Sequence, residues 1–255
     1  MGSNDPKVHH YMPKVLTKHW EHRKGTDERQ LTYFDFSTRK FDTKSALRLF
    51  SKQGLNTPEV EGKLSKWFES PIGKYVDPLR QNKPEQTPTN WKTERALLLV
   101  LLFNTQRILE ARGESVPITL EQLLSGGEPL LDAYAKHWRQ KFPAIYSVDL
   151  VEGHEMFFTE VSTFGVPFSS GPPALALPLS RWHLLLFRGA ELSETEAWEL
   201  RKMRATGRLE LLSVGVSSQA HRVALPRQWR ELAEANPTGT AQSLVDLRKK
   251  MQNFY

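Results

Sequence analysis

The sequence has no cysteine among its 255 residues. Disulfides, thiolate zinc sites, iron–sulfur clusters and a cysteine nucleophile are therefore excluded, and the composition fits a reducing compartment. Long apolar runs are also missing. The longest, Ala96 to Phe103, falls far short of the roughly 20 residues that span a bilayer. The polar start Met1-Gly2-Ser3-Asn4-Asp5-Pro6-Lys7 lacks the apolar centre of a secretory signal. The expectation is a soluble, cytoplasmic protein with no membrane partner. There is no P-loop, no Gly-x-Gly-x-x-Gly and no Gly-x-Ser-x-Gly elbow, which argues against Walker-type nucleotide hydrolysis and serine hydrolase chemistry. No internal repeat and no low-complexity tract is present.

What is there is the composition of an ordinary globular chain, 39% hydrophobic and 25% charged, so wholesale disorder is excluded. The length suffices for a substantial core in one domain over residues 1–255. Two lobes, 1–80 and 90–255, are the alternative, with a hinge near 81–89, where the chain is polar and proline-rich. The formal charge of +6 and the pI near 9.4 favour a polyanionic partner, RNA or DNA. A mildly basic surface without such a role is equally compatible with charge alone.

Along the chain, residues 8–23 read as an extended piece ending in a turn around Lys24-Gly25-Thr26-Asp27, because Pro13 interrupts any long helix. Residues 30–36 alternate apolar and polar positions, with Leu31, Tyr33 and Phe34 inward. With a turn at 37–40 and a return strand over Phe41-Asp42-Thr43 they form a β-hairpin. Thr57 and Pro58 start a helix whose buried face is Val60, Leu64, Trp67 and Phe68, broken or bent at Pro71. Residues 90–112 are the strongest helix, apolar nearly all round at their centre and hence the central core helix. Helices over 119–124 and 129–141 follow. Beyond Pro143 the texture turns to strands, over 145–151, 156–161, 174–187 and 209–216. A helix capped by Ser193 and Glu196 ends at Gly207, a short helical piece covers 229–232, and a last helix starts at Thr238 or Thr240. The fold class is α+β: an N-terminal β-hairpin, a helical middle with a buried central helix, and a β-rich C-terminal half with flanking helices.

Half of the eight histidines lie between His9 and His22, beside Lys14, Lys18 and Arg23. His9 and His10 with Lys14 and Lys18 have the ingredients of a general acid–base and anion-binding site that needs no metal. The competing reading is that His10 and Tyr11 fix the segment by hydrogen bonds. His19 and His22 are three apart, too few for a metal site without a third ligand at matching spacing, and read as surface residues. Asn104 and Arg107 share one face of the apolar helix, so Arg107 either pairs internally with Glu61 or Glu69 or faces a phosphate. His154, Glu155, Glu160, His183 and His221 are scattered, and the single tryptophans read as core anchors.

The motif His10-Tyr11-Met12-Pro13-Lys14-Val15-Leu16 resembles the His-Phe/Tyr-Val-Pro-Gln/Arg/Lys opening of a widespread bacterial family catalogued only as a domain of unknown function. Tyr33-Phe34-Asp35, the helix from Val60-Glu61 to Glu69, Asn104-Thr105-Gln106-Arg107 and Leu177-Pro178-Leu179-Ser180 resemble later elements in the same order. The chain departs from the family pattern at Asn104, where glutamine is usual. Around Thr159-Glu160-Val161-Ser162 it also lacks the aspartate of the family's Ser-Asp-Asn-Pro. The resemblance implies a fold and a site region, with Glu160 standing where the aspartate is missing, and implies no activity.

Together these readings point to a protein acting on nucleic acid, RNA in preference to DNA. The leading expectation is a metal-independent ribonuclease of a bacterial defence or toxin system, with no cofactor. His10 would be its acid or base, Lys14 and Arg107 would hold phosphate, and Glu160 would be a partner. His9, Lys14, Lys18 and Arg107 would bind the nucleic acid. The alternative is a non-catalytic basic module for a nucleic-acid or protein partner, such as the cognate partner in a toxin–antitoxin system.

Overall fold

The computed structural model describes residues 8–10, 14–23, 29–45, 49, 51–53, 58–77, 90–111, 113–115, 118–159, 162–214 and 221–252. The chain opens with β1 (Val8–His10), which leads into α1 (Lys14–Thr17) and a 3-10 turn (Lys18–Trp20), then β2 (His22–Arg23), β3 (Arg29–Asp35), β4 (Lys40–Lys44) and β5 (Ser51–Gln53). β1 pairs antiparallel with β5 in a small separate sheet. Residues 14–20 are thus helical rather than extended. Pro13, the expected interruption, lies outside the described residues.

The expected hairpin is β3–β4, in register from Leu31 opposite Lys44 to Asp35 opposite Lys40. Leu31, Tyr33 and Phe34 are all buried. Adjacent strand residues point to opposite faces, and here both faces are covered. Leu31 and Tyr33 enter the main core, while Phe34 enters a second cluster with Phe157, Val223 and Leu244.

Helix α2 (Pro58–Leu64) runs without a break through a π-turn (Ser65–Glu69) into α3 (Ser70–Val76). The expected break at Pro71 does not occur. A proline ring collides with the carbonyl four residues back in an α-helix, and the wider π-turn just before Pro71 absorbs that conflict. Trp67 and Phe68 are buried as the spacing predicts. Thr57, the expected cap, and the proposed hinge at 81–89 lie outside the described residues.

The central helix is α4 (Trp91–Ala111). Each residue from Ala96 to Leu102 is no more than 4% exposed, which makes this the axis of the main core. Arg95 near its start is buried as well. It reaches Glu128 at 2.9 Å and Asp132 at 2.6 Å, and so ties α4 to α6 (Gly127–Lys141), which follows α5 (Leu120–Ser125). α5 begins with a full capping box between Thr119 and Gln122.

The second half supplies β6 (Ala144–Asp149), β7 (Phe158–Thr159), β8 (Phe164–Val166), β9 (Ala174–Pro178) and β10 (His183–Arg188). Four of them form an antiparallel sheet in the order β6-β10-β9-β8. All six residues of β10 are buried, as expected of a central strand covered on both sides. Then come α7 (Glu194–Ala205), α8 (Arg208–Val214), β11 (Arg222–Ala224), α9 (Arg227–Ala235) and α10 (Pro237–Gln252). β11 completes the other large sheet, β2-β3-β11-β7, with β4 on β3.

Three expectations change here. The 174–187 segment is two strands joined by the turn 179–182. Leu209–Val214 is helix rather than strand, because a short buried apolar run fits either by periodicity and Gly207, with φ of +67°, turns the chain directly into a second helix. The last helix starts at Pro237, and its cap is Asn236, whose Oδ1 accepts the Gly239 N–H at 3.0 Å, not Thr238 or Thr240. The Ser193–Glu196 capping box of α7 forms as expected. Among the described residues no helix is long and apolar enough to cross a membrane. The architecture is α+β.

Candidate nucleic-acid interface

The described residues converge on a cleft of about 290 Å³ lined by Lys18, His19, Glu21, His22, Arg23, Arg29, Arg181 and Trp182. One wall is the segment from the 3-10 turn through β2 to the first residue of β3. Trp20 anchors it. Its indole is buried, donates from Nε1 to the Met156 carbonyl at 2.6 Å, and packs on Phe158 at 4.6 Å between ring centroids. β2 is held to β3 by the pairing of His22 with Gln30 and of Arg23 with Arg29, so Arg23 and Arg29 stand opposite each other at the rim. His22 Nε2 lies 2.8 Å from the Thr32 hydroxyl.

The other wall is the turn between β9 and β10, which presents Arg181 and Trp182. Contacts of His183 and Ser180 fix it. His183 Nε2 lies 2.6 Å from Asp149 Oδ1, an electrostatic contact off hydrogen-bond geometry. The Ser180 hydroxyl lies 3.2 Å from His183 Nδ1 and accepts the Trp182 N–H at 3.2 Å. Burial pushes the His183 imidazole below its ordinary range, against the pull of Asp149. Serine, histidine and aspartate thus meet, but Ser180 is fully buried and its hydroxyl has no access to a substrate. These contacts shape the turn. They are not a hydrolase triad.

Arg181 is the pivot of the site. Its guanidinium lies 4.4 Å from the centroid of the Trp182 ring and 3.3 Å from Glu155. Glu155 in turn accepts the backbone N–H of Arg227 at 2.6 Å, at the first residue of α9. Burial holds the Arg181 guanidinium below its usual pKa, Glu155 counteracts this, and the nearby Arg230 and Arg227 push it further down. Around the cleft, Lys18, Arg23, Arg29 and Arg181 face one carboxylate, Glu21, which is buried and 3.9 Å from Arg29.

Behind this wall His154 Nδ1 lies 3.2 Å from Glu210 Oε2, and Trp229 Nε1 donates to the other oxygen at 2.9 Å. Burial raises the Glu210 carboxyl, against those two hydrogen bonds. Gly207 lets the imidazole approach, since a Cβ there would sit 2.6 Å from His154 Nδ1. Among the described residues no group of three histidine, aspartate or glutamate side chains could hold a metal ion.

Of the residues given a catalytic or nucleic-acid-binding role from sequence, Lys18 is the one that lines this cleft. His9 and His10 stand in β1, opposite Lys52 and Ser51. Lys14 is the first residue of α1, and Arg107 lies in the last third of α4. For these four the description covers the backbone alone, and Glu160 lies outside the described residues. Asn104, one turn before Arg107, is buried and donates to the Ser162 and Thr163 hydroxyls at 2.8 and 3.1 Å, so it is a satisfied core amide. His19 and His22, set aside as surface residues, line the cleft, and His19 is only 6% exposed. Arg181, Trp182, Arg29 and Glu155 were not legible as a site. The signal for two of them was the Ser-Arg-Trp-His string after Pro178, hidden while 174–187 read as unbroken strand. His154 and Glu210, far apart in sequence, are neighbours in the fold.

No protein-family model, no curated protein and no solved structure matches the chain.

Proposed function

We propose that the protein binds nucleic acid through the cleft between the 18–29 segment and the 179–182 turn. The observation that carries this reading is the convergence of Lys18, Arg23 and Arg29 with the distant Arg181 on one recess, where Glu21 in the lining and Glu155 behind Arg181 are the carboxylates against four cations. Cations so grouped repel one another, and phosphates relieve that repulsion while releasing condensed counterions. Arg23 and Arg29 are exposed, and Arg29 reaches Glu21 only at 3.9 Å, so they serve as probes. Binding of a fluorescein-labelled RNA, read by anisotropy at 0.1 M salt, weakens about tenfold or more in the Arg23→Glu/Arg29→Glu double variant. An unchanged affinity would overturn the reading.

Cleavage is the second reading, favoured by the two imidazoles, His19 and His22, in the same recess. Histidines titrate near neutrality and move protons without a metal, and in RNA the 2′-hydroxyl supplies the nucleophile. The sequence-derived set of His10 with Lys14, Arg107 and Glu160 belongs to the same reading. Product formed from total tRNA in the presence of EDTA, lost in either His22→Asn or His10→Ala, assigns the acid–base group. Absence of product with retained binding leaves a non-catalytic module.

A further inference from the structure

We infer that the cleft selects single-stranded nucleic acid, with one unpaired base stacked against Trp182 and its flanking phosphates on Arg181 and the Lys18–Arg23–Arg29 wall. This rests on the proposed nucleic-acid binding and names its substrate class.

Three features lead there. First, Trp182 lines the recess alongside the four cations, whereas Trp20 and Trp67 are buried in the core. An indole facing a basic recess offers a π-surface to a base, and every base has a complementary face. In a duplex the bases are paired and stacked on each other, so such an indole reaches one only where the strand is unpaired. Second, the Arg181 guanidinium already covers part of the Trp182 ring at 4.4 Å. It takes one face of the indole and polarises the ring, so a base would stack on the opposite face, with a cation within one nucleotide of it. Third, the recess is only about 290 Å³, at the small end of ligand sites. It accommodates a nucleotide unit, while the exposed Arg23 and Arg29 at the rim follow the backbone onward.

The set of contacts from Asp149 through His183 and Ser180 to the Trp182 N–H acts as the positioning device for this platform. It fixes the backbone on both sides of the indole before any ligand arrives, which limits the ordering cost on binding.

Trp198 provides the internal control. It is 54% exposed and also carries a cation over its ring, Lys202 at 5.1 Å, but it sits on α7 outside the cleft.

The test uses the full chain with labelled RNA of about 12 nucleotides, single-stranded or annealed to its complement, and anisotropy as readout. Single-stranded RNA is expected to bind about tenfold or more tighter than the duplex. Trp182→Ala should weaken single-strand binding by roughly 5- to 150-fold, the range that loss of one base stack implies, with little effect on the duplex. Trp198→Ala should bind as wild type. Trp182→Phe should keep most of the affinity while losing part of the tryptophan fluorescence quench seen on adding single-stranded RNA, which gives a readout in a variant that preserves packing. Equal affinity for both strands forms, or an unaltered quench in Trp182→Phe, would overturn the inference. If that happens while Arg23→Glu/Arg29→Glu still loses binding, the cleft binds nucleic acid without base stacking. If the double variant binds normally, the underlying reading itself fails.

Discussion

Arg181 and Glu155 meet at 3.3 Å, and through this contact the turn that carries Trp182 is tied to the start of α9. Glu155 accepts the Arg227 N–H with its second oxygen and keeps Arg181 from facing Arg227 and Arg230 unopposed. Replacing Glu155 by alanine removes both interactions and leaves a partly buried guanidinium beside two other cations. A loss of about 1–3 kcal/mol in urea denaturation is expected. An unchanged midpoint would mean that solvent already neutralises Arg181.

Gly207 and His154 form a second coupled pair. Gly207 has φ of +67° and no room for a methyl group against the imidazole. Gly207→Ala is therefore expected to cost about 1–3 kcal/mol, from backbone strain together with displacement of His154 from Glu210. Truncating His154 removes the steric part only. The double variant Gly207→Ala/His154→Ala should lose less than the sum of the single losses, and strict additivity would contradict the close approach.

The buried pair of Arg188 and Glu196, at 2.7 Å, couples the end of β10 to the capping box of α7. The Arg188 guanidinium, together with the Ser193 N–H, holds the Glu196 carboxyl down at about 2, against an ordinary value of 4.5. A depressed acid stabilises the fold fully above its unfolded value, and that stability fades as pH falls through the folded one. The difference in urea midpoint between wild type and Glu196→Gln should be constant above about pH 5 and shrink steadily towards pH 2. A difference independent of pH in that window would remove the ion pair from the explanation.

His183 works in the opposite chemical sense but loses stability in the same direction. Burial depresses its imidazole below the ordinary 6.5, so the neutral form is the one that fits. Between the folded and unfolded values the unfolded chain binds the extra proton, and stability falls as pH drops below about 6.5. His183→Asn lacks the titrating group, so its deficit relative to wild type should narrow over that range. A deficit that widens on acidification would show that the charged imidazole is preferred beside Asp149.

Much of the fold was written in local pattern. The all-round apolar centre of α4, the 31–34 alternation and the Ser193–Glu196 box specify their elements with little help from the rest of the chain. What failed locally was decided by tertiary surroundings. Leu209–Val214 is compatible with strand or helix until Gly207 and its neighbours choose, and Pro71 reads as a break unless a π-turn can precede it. The site was less legible still. Lys18, His19 and His22 stood out by density, but their partners Arg181 and Trp182 come from more than 150 positions away and are joined to them through Met156, which accepts the Trp20 indole N–H and donates to the Arg181 carbonyl. No spacing rule brings those residues together.

The most direct test of the central claim is to photo-cross-link single-stranded RNA to the intact protein and identify the attached peptides by mass spectrometry. The cleft as described puts cross-links on Trp182 and on residues 18–23, and competition by excess unlabelled single strand should remove both. Cross-links confined to surfaces away from these two segments would contradict it.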